Sequence, residues 1–279
     1  MSECIGISFL ENSIFKQSEE FSDDFLYLES YIYEVMRVFQ GTPLFAEDHI
    51  ERLLQTFALN NISITYSAEE IYQQIKTLIN INKLDLGNIK IVYTDDKMKN
   101  DSHFLIYITP HDYPSEKDYE VGVCVRLHSG IRHNPNAKVM IPALREEANL
   151  IKSNQNCYEV LLVDNDGFIT EGSRSNVFFV KDNTVYTPPL SDVLPGITRK
   201  HIISGCSQNS ISVVEKKIAM NDIMEYDAVF ISGTSRKVLP VNHIDDKMFS
   251  VNNTIMRKIQ QNFNEQISEY INSKKQAIF

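Results

Sequence analysis

Thr170-Glu171-Gly172-Ser173-Arg174-Ser175-Asn176-Val177-Phe178-Phe179-Val180, then Tyr186-Thr187-Pro188-Pro189-Leu190, then Leu194-Pro195-Gly196-Ile197-Thr198-Arg199 is the stretch whose reading decides this chain. One carboxylate, Glu171, stands in a turn of small residues ahead of an apolar strand at 176–181. Gly196-Ile197-Thr198 then opens a helix. A helix start preceded by glycine presents backbone N–H groups and the positive end of the helix dipole, a natural seat for a phosphate.

Working outward, residues 158–164 and 227–232 read as strands on either side of this stretch. Pro142 opens a helix, and 121–127 reads as a further strand. Nearer the N-terminus, 31–39 is a strand closed by the turn Gln40-Gly41-Thr42-Pro43. A helix follows from about Glu47, with Ile50, Leu53, Leu54 and Phe57 as its apolar stripe. Residues 89–94 and 103–109 are two more strands. A closing helix carries Ile255, Ile259, Phe263, Ile267 and Ile271 at steps of four. The polar stretch 110–120 holds two prolines and reads as a linker. Strands and helices alternate irregularly, which predicts an α+β (mixed α/β) fold rather than a doubly wound sheet. The expected organisation is a small α/β domain over 1–112, a linker over 113–120 and a large domain over 121–279.

The bulk composition sets outer limits. A chain of 279 residues that is 43% apolar and 23% charged buries an ordinary globular core. A net charge of −10 argues against nucleic acid or a polybasic membrane anchor as partner. Cys4, Cys124, Cys157 and Cys206 are far apart, and the seven histidines have no metal-ligand spacing, so no metal is expected. Met1-Ser2-Glu3-Cys4-Ile5 lacks the basic-then-apolar pattern of a signal peptide, and no apolar run reaches the length of a membrane span. A cytoplasmic location is the expectation.

A fixed acid and a phosphate cradle are two of the three things that a pyridoxal phosphate site needs; the third is a lysine. The acid keeps the pyridine nitrogen protonated, so that the ring withdraws electrons from a carbanion. Arg52 is a candidate phosphate clamp, because a guanidinium donates two parallel hydrogen bonds. At 100° per residue it stands about 150° from the centre of its helix's apolar stripe, toward solvent or a ligand. Ser232-Gly233-Thr234-Ser235 follows an apolar strand and adds hydroxyls.

These pieces resemble the class IV aminotransferases, the fold-type IV pyridoxal-phosphate enzymes. That family includes branched-chain aminotransferase, D-amino-acid aminotransferase and aminodeoxychorismate lyase. The likeness runs from about Tyr33 to about Val241. It is carried by Tyr33-Glu34, Glu47-x-His49-x-x-Arg52-Leu53 and Tyr158-Glu159. Further on it is carried by Thr170-Glu171-Gly172-Ser173-x-Ser175-Asn176, Thr187-Pro188-Pro189, Leu194 to Arg199 and Ser232-Gly233-Thr234. The resemblance implies a two-domain, D-amino-acid-aminotransferase-like fold, a pyridoxal 5'-phosphate cofactor and a homodimer. The dimer expectation draws on the polar segment Asp95, Asp96, Lys97, Lys99 and Asp101 as a loop reaching a neighbouring pocket.

By the same resemblance, Glu171 meets the pyridine nitrogen. Arg52, the backbone of Ile197 and Thr198, and the hydroxyls of Thr234 and Ser235 hold the phosphate, and Tyr33 lines the substrate side. The family's lysine stands a little over thirty residues before the glutamate. Lys138 is 33 before Glu171 and 20 before Tyr158; Lys152 is only 19 before Glu171, yet its Ile151-Lys152-Ser153-Asn154 neighbourhood looks more like the family's. Lys138 is preferred, and Lys152 is expected as a solvated helix-end lysine. Two departures concern substrate: no arginine follows the 89–94 strand, and a Gly-Asp-Gly approach to Tyr33 is missing. Arg37 and Arg236 are candidates to supply the absent positive charge, with surface or supporting charge as the blander reading for both. The expected activity is amino transfer between an amino acid and a 2-keto acid. A lyase of the aminodeoxychorismate type is the alternative, and an inactive binding protein of the same fold is a more distant one.

Overall fold

The computed structural model describes residues 2–96, 101–132 and 134–276. The chain groups into two compact units. One comprises Met1–Asp112, Ala137–Pro142 and Glu269–Phe279, and the other Tyr113–Asn136 and Ala143–Ser268.

The first unit is an antiparallel sheet with the order Ile14–Gln17, Ser8–Glu11, Asp101–Thr109, Leu86–Asp96, Tyr31–Phe39, Thr42–Pro43; Val139–Met140 adds to Tyr31–Phe39. Two helices, α1 (Ala46–Leu59) and α2 (Ala68–Asn82), cover one face. Strand alternation sends Ile32, Met36 and Val38 to that face and Tyr31 and Tyr33 to the other. Helix α2 starts at a capping box in which Ser67 and Glu70 satisfy each other's backbone N–H groups. It buries Ile71, Ile75 and Leu78 completely, each worth about 1.5–3 kcal/mol on removal from water.

The second unit is a mixed ten-stranded sheet whose central run is Asn176–Lys181, Ala228–Gly233, Lys237–Ile244, Val123–Ser129, Glu159–Val163, Phe168–Gly172. Parallel neighbours need a crossover. Helix α4 (Pro142–Asn154) lies between Val123–Ser129 and Glu159–Val163, and α5 (Ile197–Gln208) lies between Thr184–Thr187 and Ser212–Glu215.

Two expectations change in detail. The stretch expected as linker contains a short helix, α3 (Glu116–Val121), because Ser115 and Asp118 form a capping box that starts a turn. The long C-terminal helix, α6 (Thr254–Gln276), buries Met256 where Ile255 was expected, then Ile259, Phe263, Ile267 and Ile271. A repeat of four drifts around a helix of 3.6 residues per turn, so the buried stripe starts one residue later.

Candidate active site

Helix α1 carries two kinds of buried residue. Ile50, Leu53 and Phe57 meet the apolar core, while His49, Arg52 and Thr56 form an adjoining polar face that is also buried. Of the two directions that its helical angle allowed, solvent or a ligand, Arg52 is not turned to solvent. Glu34, fully buried on the neighbouring strand Tyr31–Phe39, draws it in: Arg52 donates Nε–H to Oε2 at 2.9 Å and Nη2–H to Oε1 at 2.6 Å. Such side-on pairing matches a carboxylate to the planar guanidinium edge. His49 Nδ1 lies 3.0 Å from Glu34 Oε1.

Burial alone would push the Glu34 carboxyl up, but the charge of Arg52, the hydrogen bond from His49 and the charge of Lys138 hold it far below the usual carboxylate range. Burial pushes His49 down, against the pull of Glu34, so its imidazole is neutral and its Nδ1–H is the donor to Glu34.

Lys138 belongs to the same unit. Its backbone N–H donates to Thr56 Oγ1 at 3.2 Å, its carbonyl accepts from Tyr33 N–H at 3.2 Å, and Thr56 Oγ1 donates to the Arg52 carbonyl. The Lys138 ammonium stands 4.6 Å from the centre of the Tyr33 ring. The polar face of α1 thus holds the lysine's backbone and the candidate phosphate clamp on one short scaffold. On the opposite side of the sheet from Glu34, Arg37 is half-buried, 5.8 Å from the Phe39 ring centre.

In the second unit, Glu171 is buried, with Oε1 2.6 Å from Arg132 Nε and Oε2 accepting the Leu194 N–H at 3.1 Å. The residues around it explain the motif. A Cβ on Gly172 would fall 2.0 Å from Ser175 Oγ, and one on Gly196 would fall 2.0 Å from Asn176 Oδ1. Asn176 Nδ2–H in turn donates to the Leu194 carbonyl. The Glu171 turn and the start of α5 are therefore packed too closely for side chains at either glycine. Gly196 opens α5 with no capping side chain, so the first-turn N–H groups of Ile197 and Thr198 belong to an uncapped helix end. Arg199 anchors Thr187-Pro188-Pro189 by donating to the Pro188 carbonyl and pairing with Glu215.

Ser232 Oγ, at the end of strand Ala228–Gly233, is fully buried without a hydrogen-bond partner among the described residues. A buried hydroxyl in that state suits completion by a further polar group. Thr234 and Ser235 follow it, both half-buried.

Lys152 is not a solvated helix-end residue. It is half-buried, 5.9 Å from the Tyr158 ring centre, and burial pushes its ammonium down in pKa while Glu159 pulls it back. Glu159 is fully buried. It accepts Ser173 Oγ–H at 2.6 Å, Ser175 Oγ–H at 3.2 Å and the Val160 N–H at 2.9 Å, and Arg236 Nη2 lies 3.3 Å away. Burial would raise its carboxyl, but Arg236 and Lys152 bring it below the usual range. Arg236 is thus committed to Glu159, with its guanidinium over Tyr158. Arg132, Thr56 and the roles of Glu34, His49 and Glu159 escaped the sequence reading. Glu34, His49 and Glu159 lay inside quoted motifs, whereas Arg132 is 39 residues from Glu171 and gives no local signal.

The chain matches the amino-transferase class IV family over residues 31–244. It is 30% identical over 230 residues to the D-alanine aminotransferase of Bacillus licheniformis, covering 77% of this chain and 78% of that one. It is 27% identical over 238 residues to the branched-chain-amino-acid aminotransferase of Pseudomonas aeruginosa, covering 77% and 76%. The solved structure of the branched-chain amino acid aminotransferase of Escherichia coli superposes with a TM-score of 0.84 at 22% identity, covering 94% of this chain and 95% of that one. The chain belongs to the class IV aminotransferase family. It is an enzyme with that family's α+β fold, and its activity is that of an aminotransferase. Among the described residues, no helix is long and apolar enough to cross a membrane, and no group of three or more His, Cys, Asp and Glu is placed to hold a metal.

Proposed function

We propose that this enzyme moves an amino group between an amino acid and a 2-keto acid with pyridoxal 5'-phosphate joined to Lys138. The observation that carries the reading is the setting of Lys138. Its backbone is tied to Tyr33 and Thr56, its ammonium stands over the Tyr33 ring, and its charge adds to that of Arg52 in keeping Glu34 ionised. Within each unit the donors are of the kinds that a phosphorylated pyridine needs: in the first the Arg52 guanidinium, and in the second the buried Glu171 carboxylate, the glycine-opened start of α5 and the buried Ser232 hydroxyl. The bound cofactor supplies an electron sink for the carbanion at the substrate Cα.

The chain's own residues do the rest. Lys138 Nζ, released once the substrate amine takes its place, would remove the proton from Cα of the amino donor and, in the reverse half-reaction, would deliver one to the carbonyl carbon of the keto acceptor. Glu171 holds a proton on the ring nitrogen. Arg52, the N–H groups of Ile197 and Thr198, and the hydroxyls of Thr234 and Ser235 hold the phosphate. Tyr33 lines the substrate side. Arg37, on the strand face that also carries Tyr33, is assigned to the substrate carboxylate; Arg236 pairs with Glu159. We assign residues 1–112 to the small domain, 113–120 to the linker and 121–279 to the large one, except that 137–142 and 269–279, expected in the large domain, group with the small one. The working form is a homodimer in the cytoplasm; of the loop residues that motivate the dimer, Lys97 and Lys99 lie outside the described residues.

Borohydride reduction of the cofactor-loaded protein followed by peptide mapping tests the assignment. A phosphopyridoxyl group on Lys138 is expected, and one on Lys152 overturns it. A panel of D- and L-amino donors with 2-oxoglutarate as acceptor then identifies the substrate.

A further inference from the structure

Glu34 and His49 belong to motifs whose parts otherwise have assigned tasks, and neither faces water. We infer that Glu34, braced by His49, is a positioning residue that fixes which edge of Arg52 meets the cofactor phosphate. The inference rests on the cofactor reading above.

A guanidinium has two edges that can grip an oxyanion: a side-on edge made of Nε and one Nη, and an end-on edge made of both Nη atoms. Glu34 occupies the side-on edge, with contacts of 2.9 and 2.6 Å. A phosphate must then meet Arg52 by the other edge. Arginine has a long side chain with many rotamers, and holding it costs entropy that weakens each bond it makes. Glu34 settles that cost in the unliganded protein. Its own placement is fixed three ways: by strand Tyr31–Phe39, by the Val35 N–H donating to Oε1 at 2.8 Å, and by His49 Nδ1–H.

Charge works against position here. A carboxylate beside the clamp repels a phosphate, so removing the charge alone would tighten binding if Glu34 had no positioning task. The inference predicts the opposite for a variant that keeps the charge but loses the reach. Glu34→Asp is that variant, since it withdraws the carboxylate by one C–C bond, about 1.5 Å. His49→Leu removes the brace without changing net charge, and His49→Asn restores a donor near the Nδ1 position.

The experiment uses the full chain freed of co-purified cofactor and compares binding of pyridoxal 5'-phosphate with binding of pyridoxal, which lacks the phosphate. Wild type is expected to favour the phosphorylated probe. In Glu34→Asp, affinity for pyridoxal 5'-phosphate should fall by at least about tenfold while affinity for pyridoxal stays within about twofold. His49→Leu should lose in the same selective way but less, and His49→Asn should recover most of it. An equal loss for both probes would show a merely structural role, and an unchanged or increased preference would show that Glu34 does not hold the clamp. Either overturns the inference. If Glu34→Asp does not fold, the two His49 variants decide by the same criteria. A wild-type chain with no preference for the phosphorylated probe overturns the cofactor reading itself, which the wild-type arm detects before any variant is compared.

Discussion

Tyr33-Glu34 in the first unit and Tyr158-Glu159 in the second have the same parts. Each has a fully buried glutamate with an arginine on its carboxylate and a lysine ammonium near the tyrosine ring. The parts are connected differently. Each glutamate accepts the N–H of the following residue, but Glu34 otherwise spends its oxygens on Arg52 and His49, whereas Glu159 spends its on two serine hydroxyls and meets Arg236 at the longer distance of 3.3 Å. A carboxylate gripped side-on by arginine aims that arginine. A carboxylate fed by hydroxyls freezes a turn, here the Ser173–Ser175 turn that follows Glu171. The lysines divide in the same way. Lys138 is anchored by its backbone with its side chain at Tyr33, while Lys152, in the last turn of α4, answers the charge of Glu159.

The largest effect that could break this comparison is on turnover. Lys138→Ala should abolish amino transfer in a coupled keto-acid assay, while Lys152→Ala should retain most of it. The reverse result would exchange the roles of the two clusters.

Next comes stability. Glu34→Leu leaves a buried guanidinium without its counter-charge, a loss of about 3–5 kcal/mol. Glu159→Leu leaves two hydroxyls and a less closely held arginine, a loss of about 1–3 kcal/mol. Urea unfolding of both variants should rank them in that order; equal losses would erase the distinction between aiming and freezing.

The smallest effect is pH dependence, and between pH 6.5 and 5 it belongs to the first cluster, through His49. His49 is held below its usual value of 6.5, so the unfolded chain binds its proton first, and stability falls as pH drops below about 6.5. Glu34 and Glu159 are held below their usual 4.5, so their contribution persists down to about that pH and is lost beneath it. Between pH 6.5 and 5, the wild type should therefore lose up to about 1.4 kcal/mol per pH unit that His49→Asn does not. Thermal unfolding at several pH values reads the difference. Identical slopes would mean that His49 is as easily protonated in the folded chain as in the unfolded one.

Much of the fold was legible because its signals are local. The strand Tyr31–Phe39, the strand Asn176–Lys181 and the start of α5 at Ile197 fall where alternation and glycine placement put them. Helix α2 carried its own signal in Ser67-x-x-Glu70 ahead of Ile71, Ile75 and Leu78, and was passed over. The Ser8–Glu11 and Ile14–Gln17 hairpin gave less, since its second strand is short and mostly exposed. Of the two directions open to Arg52, solvent or a ligand, the structure removes solvent for a physical reason: helical periodicity separates apolar from polar faces but does not say whether the polar face is wet. Here it is dry, because a buried carboxylate on a neighbouring strand awaits the arginine.

By itself the sequence determined the order of elements, the glycine-bounded turns around Glu171 and α5, and the residue types that the chemistry requires. These follow from propensities and spacings that act within a few residues. Only the tertiary structure decided the partners: Arg52 for Glu34, Arg132 for Glu171 and Arg236 for Glu159. Those choices are made when packing removes water from charges distant in sequence, because in a low-dielectric interior each buried charge must be matched by whichever opposite charge or donor the fold brings within reach.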